Sequence, residues 1–184
     1  LAFVNSRVHG AALAHELEVV GSMHVLAASQ AIRLKRLVIP SLTALYGARP
    51  NGPAVCLEVH PLRADGVRFV TDRVEVEHQI EKFAERNPEV HVVVLRFAPI
   101  VGANADNPFT RLLRTGFVPT ILGFDPVWQI VHEEDALRSL HLALTTKARG
   151  CFNIVGEGTA PFSTILRLAG ARNFQLPGPL LRAA

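Results

Sequence analysis

Eight histidines, two cysteines, one tyrosine and sixteen carboxylates are the groups from which this sequence could build a site. Their spacing decides which can act together. No His-Glu-x-x-His occurs, and no two histidines stand four apart in a helical segment. His132 beside Glu133, Glu134 and Asp135 imitates a metal cluster. Adjacent helical side chains diverge, however, so one ion could not easily use them all, and a structural His132 with no metal is expected. Cys56 and Cys151 lie far apart without Cys-x-x-Cys spacing. That argues against a disulfide framework and for a reducing, cytoplasmic setting. Gly-x-Ser-x-Gly elbows and Walker loops are absent. Gly156-Glu157-Gly158 follows a strand and precedes a helix, where a dinucleotide-binding glycine loop would sit. Pro161 replaces the third glycine, and no acid lies about twenty residues on to take a ribose hydroxyl, so a plain tight turn is expected.

The tyrosine is more telling. Tyr46 is the only one in the chain, and the residue four further on is Pro50, so no Tyr-x-x-x-Lys exists anywhere. Tyr46 is expected to pack below a site rather than act in it. Arg73 and Glu77, four apart, are expected to pair on one helix face. Arg96, at a strand end, reads equally as a structural anchor or as a site-lining residue.

Strand-length apolar runs alternate with helix-period segments. Leu1–Val4, Leu37–Pro40, Val92–Leu95, Thr120–Leu122, Gln129–Val131 and Cys151–Val155 read as strands. Ala11–Leu34, Phe69–Arg86, Phe109–Arg114, a segment with Leu137, Leu140 and Leu144, and Phe162–Ala169 read as helices. The acidic turn Glu133–Asp135 marks one helix start, and Gly170 a helix end. This βαβα order predicts an α/β fold with a mainly parallel sheet flanked by helices. A Gly- and Pro-rich loop runs from about Gly47 to Gly66.

Several segments, taken in order, resemble the extended short-chain dehydrogenase/reductases, the NAD-dependent epimerase/dehydratase family. Leu37–Pro40 leads into Ser41-Leu42-Thr43-Ala44-Leu45-Tyr46-Gly47, then Glu58 and Pro61-Leu62, as that family's Ser/Thr-rich turn leads to Tyr-Gly, Glu and Pro-Leu. Phe69 to Glu77 is similar to its Tyr-x-x-x-Lys helix, and Leu95-Arg96-Phe97-Ala98-Pro99-Ile100-Val101-Gly102 to its Leu-Arg-x-x-Asn-x-x-Gly segment. Val131-His132 with Asp135, Phe152-Asn153 with Gly156, and Glu18 to Leu26 resemble further family segments.

The resemblance implies a single Rossmann-like NAD(P)-binding domain over residues 1–184. Residues 105–128 and 156–184 would contribute a small substrate-side lobe. NAD or NADP is the implied cofactor, held near Ala2, Phe3, Arg73, Phe97, Ala98 and Pro99, and a hydroxylated small molecule the implied substrate. It also implies that Leu1 lies in the fourth strand, so that the first strands and the phosphate-binding glycine loop are missing from this chain.

The same resemblance places Phe69 where the family's proton-passing tyrosine stands, Arg73 at its lysine and Leu42 at its serine, with Thr43 one position off. Phe69 has no proton to give, and an arginine presents donors in a different geometry from a lysine. Glu18 and Pro99 replace two asparagines, and Trp128 an arginine. A degenerate or truncated enzyme is therefore expected. The rival readings are an active enzyme using Thr43, His60 or Asp72 as an acid, and a non-catalytic dinucleotide-sensing or protein-interaction module.

Composition bounds the partners. With 49% apolar and 19% charged residues and a net charge of +3, the chain is neither disordered nor strongly basic. Arg33, Lys35 and Arg36 cluster at a helix end, where cations suit the helix dipole, so nucleic acid is not expected as a partner. Val92–Ala103 is too short to span a bilayer, and no membrane partner is expected. A sheet lacking its first strands would expose an edge or apolar surface, predicting association, most simply as a homodimer.

Overall fold

The structure is a computed structural model that describes residues 11–47, 52, 53, 55–63 and 67–178. The strand expected at Leu1–Val4, with Ala2 and Phe3, lies outside the described residues. By its contacts the chain divides into two units, Leu1–Arg96 with Leu140–Asn153 and Phe97–Ser139 with Ile154–Ala184.

The first unit begins with a helical stretch whose winding changes midway. Ala11–His15 (α1) passes through one π-helical turn, Glu16–Val20, into Gly21–Ala31 (α2). A π turn widens the coil and frees a carbonyl from its usual partner. Here the Ser22 hydroxyl donates to the Glu18 carbonyl at 2.5 Å. The helix was expected to run to Leu34 but closes three residues earlier. Arg33 turns left-handed at φ 50°, its N–H bonds the Gln30 carbonyl, and the Leu34 N–H bonds that of Ser29 at 2.9 Å. This closure satisfies the last carbonyls, a task usually given to glycine.

Strand β1 (Arg36–Leu42) ends in a 3-10 turn, Thr43–Tyr46. Helix α3 (Arg68–Arg86) is built on the spacing of Val76, Ile80 and Phe83, all buried, and is closed by Asn87, whose N–H and side-chain amide both reach the Phe83 carbonyl. Strand β2 (His91–Phe97) carries the β-branched run and is buried at every residue after His91, as a strand covered on both faces must be. Helix α5 (Glu133–Thr145) feeds β7 (Gly150–Ile154), and the sheet order is β1-β2-β7. Arg36 donates to the Ala143 carbonyl at 2.6 Å, so one member of the basic cluster serves the end of α5.

Val19 and Leu26 from the first helix, Val76, Ile80 and Phe83 from α3, and Val90, Val92 and Val94 form the core of this unit. Fully burying each such side chain is worth about 1.5–3 kcal/mol. The His91 N–H bonds the Lys35 carbonyl, so β1 and β2 start at the same end. Both α2 and α3 lead into those strand starts. The opposite ends of the two helical stretches, carrying His15 and Phe69, therefore lie toward the carboxyl ends of the strands.

The second unit holds three short strand pairs. β3 (Ile100–Val101) with β6 (Val131–His132) and β4 (Phe117–Ile121) with β9 (Arg172–Leu176) are parallel, and β5 (Val127–Trp128) with β8 (Ala160–Pro161) is antiparallel. Helices α4 (Pro108–Arg114) and α6 (Phe162–Leu168) cover them, and Val118, Leu166 and Ala171 form a small core. Asn107 caps α4 through a reciprocal box with Thr110.

The glycine turn after β7 has a packing explanation. The Gly156 N–H bonds the Ile130 carbonyl at 2.9 Å, and a Cβ on Gly156 would stand 2.6 Å from that oxygen. The molecule is thus α/β and Rossmann-like, with mainly parallel strands flanked by helices. Among the described residues, no helix is long and apolar enough to cross a membrane.

Candidate functional site

At the carboxyl end of the sheet, the first two turns of α3 face the π turn of the first helix. Phe69 is 41% exposed, and the Arg73 guanidinium lies 5.6 Å from the centre of its ring, a cation–π contact within one helix turn. Arg73 does not pair with Glu77. Its Nη2 donates to Glu18 Oε1 at 3.0 Å, and its Nε stands 2.9 Å from Glu18 Oε2, at ion-pair distance but off the hydrogen-bond direction. Glu18 lies in the π turn and, with Val19 beside it, is buried, at 7% exposure. Burial pushes the Glu18 carboxyl above its ordinary value, Arg73 pulls it back, and the nearby Asp72 charge pushes it up again.

Asp72, next in the chain to Arg73, is likewise buried. Its Oδ1 lies 2.8 Å from Nδ1 of His15 on α1, whose side chain is 37% exposed. Two polar pairs, one of them an Arg–Glu ion pair, thus bridge the same two helices.

Glu77 belongs to a different network, which corrects the expected Arg73–Glu77 pair. It is buried and takes a fork from Arg96, whose Nη2 donates to Oε2 at 2.6 Å and whose Nε lies 3.0 Å from the same oxygen. The Ser41 hydroxyl donates to Glu77 Oε1. Arg96 Nη1 donates to the Tyr46 hydroxyl at 2.7 Å, and that hydroxyl donates to Asn153 Oδ1 at 2.8 Å. The Arg96 guanidinium also lies over the Tyr46 ring.

Burial pulls Arg96 downward, but its bonds to Glu77 and Tyr46 outweigh this and leave it above its ordinary value. Burial likewise raises the Tyr46 phenol, with Arg96 opposing. Glu58 accepts the Asn153 N–H at 2.8 Å, which lowers its carboxyl. Arg96 is thus anchored on Glu77 and Tyr46, and it also lines the cavity described below. Tyr46 is a buried strut whose hydroxyl is used on both sides.

The other residues singled out in the sequence fall as follows. Leu42 ends β1, half-buried, and Thr43 opens the 3-10 turn. Phe97 and Ala98 are buried, the Ala98 N–H bonds the Ile154 carbonyl, and the Pro99 carbonyl accepts from Val131 N–H. These three belong to the second unit, whereas Phe69 and Arg73 belong to the first. His60 Nδ1 accepts the Leu57 N–H within its own loop. Trp128 stacks on Phe109 and Phe162, each at 5.3 Å between ring centres.

A cavity of about 620 Å³ lies between loop residues 58–62, the far half of α3 and β7. Glu77 and Arg96 form part of its wall, but neither Phe69 nor Arg73 reaches it. Sequence reasoning missed His15 and did not foresee Glu18 as the partner of Arg73. Nothing in their spacing marks a pair 55 or 57 residues apart.

Among solved structures, UDP-glucose 4-epimerase of Thermotoga maritima, with UDP-glucose, matches at a TM-score of 0.74 and 21% identity, over 96% of this chain and 62% of that one. dTDP-glucose 4,6-dehydratase of Bacillus anthracis, in complex with NAD, matches at 0.75 and 14%, over 94% and 59%. The fold is theirs.

Among curated proteins, an uncharacterized protein of Mycobacterium tuberculosis is 34% identical over 174 residues, 94% of this chain and 46% of its own length. A 3-diazoavenalumate denitrifying reductase of a Streptomyces species is 25% identical over 154 residues, 79% and 48%. The chain spans about half the length of the curated relatives it matches. No family model matches it.

Within the epimerase and dehydratase fold, this end of the sheet offers an aromatic ring, a neutralised cation and a histidine–aspartate pair. Proton transfer through position 69 is chemically impossible. The fit to a dinucleotide is partial: Phe69 supplies a ring surface, but the Arg73 fork is committed to Glu18 rather than turned to a ribose.

Proposed function

We propose that this protein is a degenerate NAD(P)-dependent epimerase/dehydratase-like protein. Its parent activity is redox chemistry, epimerisation or dehydration of a hydroxylated small molecule, and proton transfer has been lost at the tyrosine position. The fold likeness supports NAD or NADP as the ligand class, and residues 105–128 and 156–184 contribute the substrate-side lobe in this reading. Self-association through exposed helix and sheet surfaces is part of the same proposal. One observation carries the reading: Phe69 has no exchangeable proton, and Arg73 below it is held by buried Glu18. Losing a positioned acid or base costs about a hundredfold to ten-thousandfold in rate.

Calorimetric titration with NAD and NADP tests the ligand class, and one of the two is expected to bind. The chemistry is tested by reversing the loss. A Phe69→Tyr, Arg73→Lys double variant is expected to stay nearly inert, because Glu18 would capture the new ammonium as it captures the guanidinium. Adding Glu18→Asn is expected to raise turnover of UDP-glucose or a simple secondary alcohol by about a hundredfold or more. Failure of both dinucleotides to bind, or wild-type turnover equal to that of the triple variant, would overturn the proposal.

A further inference from the structure

We propose that the His15–Asp72 pair is the proton-handling site of this protein, the imidazole accepting a proton from a hydroxyl of a small ligand at the carboxyl end of the sheet. The inference rests on the reading above, in which a hydroxylated ligand comes to this end of the fold.

Three observations carry it. The first is pair geometry. A buried carboxylate oxygen 2.8 Å from Nδ1 fixes the tautomer that holds its proton on Nδ1, which leaves the Nε2 lone pair as the acceptor. A carboxylate in this position also stabilises the imidazolium formed when Nε2 takes a proton. The second is exposure. The Asp72 side chain is 7% exposed while the His15 side chain is 37% exposed, so the orienting group is hidden and the reactive group meets solvent.

The third is position. His15 lies one turn before Glu18 on the first helix, and Asp72 lies between Phe69 and Arg73 on α3. Asp72 therefore stands one helical turn from Phe69, and the pair lies toward the strand ends outside which open α/β sheets bind ligands. The charged groups paired here across the two helices are Asp72, Glu18 and Arg73, and Glu16 follows His15 in the chain. Since Glu18 and Arg73 neutralise one another, Asp72 is the charge that His15 answers.

The step is a simple proton transfer. The ligand O–H bond breaks, the proton forms the Nε2–H bond of His15, and the electron pair stays on the ligand oxygen. Asp72 remains a carboxylate throughout. Return of the proton from Nε2 completes the cycle.

Diethyl pyrocarbonate acylates an unprotonated imidazole nitrogen and needs no knowledge of the ligand. Applied to the full chain with peptide mapping by mass spectrometry, it is expected to modify His15 several-fold faster than the exposed His132. At about pH 8, where imidazoles are neutral, Asp72→Asn is expected to slow His15 modification several-fold without altering the other histidines, because the amide no longer fixes the tautomer that leaves Nε2 free. His15→Gln keeps a donor to Asp72 and so preserves the helix contact. With a dinucleotide and a secondary alcohol, it is expected to lower the remaining turnover about a hundredfold while leaving the KM unchanged.

A His15 rate no greater than that of His132, or one indifferent to Asp72→Asn, overturns the proposal, as does unchanged turnover in His15→Gln. If neither dinucleotide binds, the proposed function fails, and the acylation rates alone then decide whether the pair is poised for proton transfer.

Discussion

Replacing Glu77 with alanine should be among the most damaging single changes in the first unit. The substitution removes the acceptor for the Arg96 Nη2 and Nε groups and for the Ser41 hydroxyl, all of them buried. Removing one member of a buried pair leaves the other charge without compensation and costs about 3–5 kcal/mol. A domain of this length loses about 2–4 °C of melting temperature per kcal/mol, so a fall of roughly 6–20 °C is expected. Urea titration followed by circular dichroism gives the free energy, and a thermal scan gives the shift. A double variant, Glu77→Leu with Arg96→Met, removes both charges and should lose less than Glu77→Ala alone. Were Glu77→Ala to cost under about 1 kcal/mol, the usual range for an exposed pair, the network would not be the anchor described here.

Three further outcomes follow from single contacts. Gly156→Ala drives a Cβ to 2.6 Å from the Ile130 carbonyl and should cost about 1–3 kcal/mol by overpacking, read by denaturant titration. Asn107→Ala removes the acceptor for the Phe109 and Thr110 N–H groups and should cost about 1 kcal/mol, with hydrogen exchange rising in the first turn of α4 and unchanged in α5.

Glu18 sits above its ordinary carboxyl value when folded, so the folded state holds that proton more tightly than the unfolded chain. Its contribution is full below the unfolded value and is lost as pH rises through the folded one. Wild type minus Glu18→Gln stability should therefore be larger near about pH 4 than near about pH 7, and the opposite sign would show the Arg73 attraction outweighing burial.

How far such a site can be read from sequence is best judged at Arg73. Its helix, its distance from Phe69 and the lack of a tyrosine were all legible, because they depend on spacing within one segment. The α3 boundaries differ by a single residue from those expected, and β2 was plain from its β-branched run. The partner of Arg73 was not legible. An i, i+4 rule names the neighbour available on an isolated helix, and it named Glu77. Packing then decides otherwise, since α3 buries Glu77 against β2, where Arg96 waits, and turns Arg73 toward the first helix.

Strand β9 escaped notice for a related reason. Four of its five residues are exposed, so it lacks the buried apolar run by which strands are recognised, and it exists through its parallel pairing with β4.

The π turn is the less visible determinant. It carries Glu18 and Val19, both buried, and Glu18 is the buried counter-charge of Arg73. The setting of Arg73 depends on two elements, because α3 presents its guanidinium and the π turn presents the buried Glu18 that pairs with it. The histidine–aspartate pair one turn away is then the remaining proton-accepting arrangement described at this end of the sheet, and the reactivity of His15 measures whether it is used.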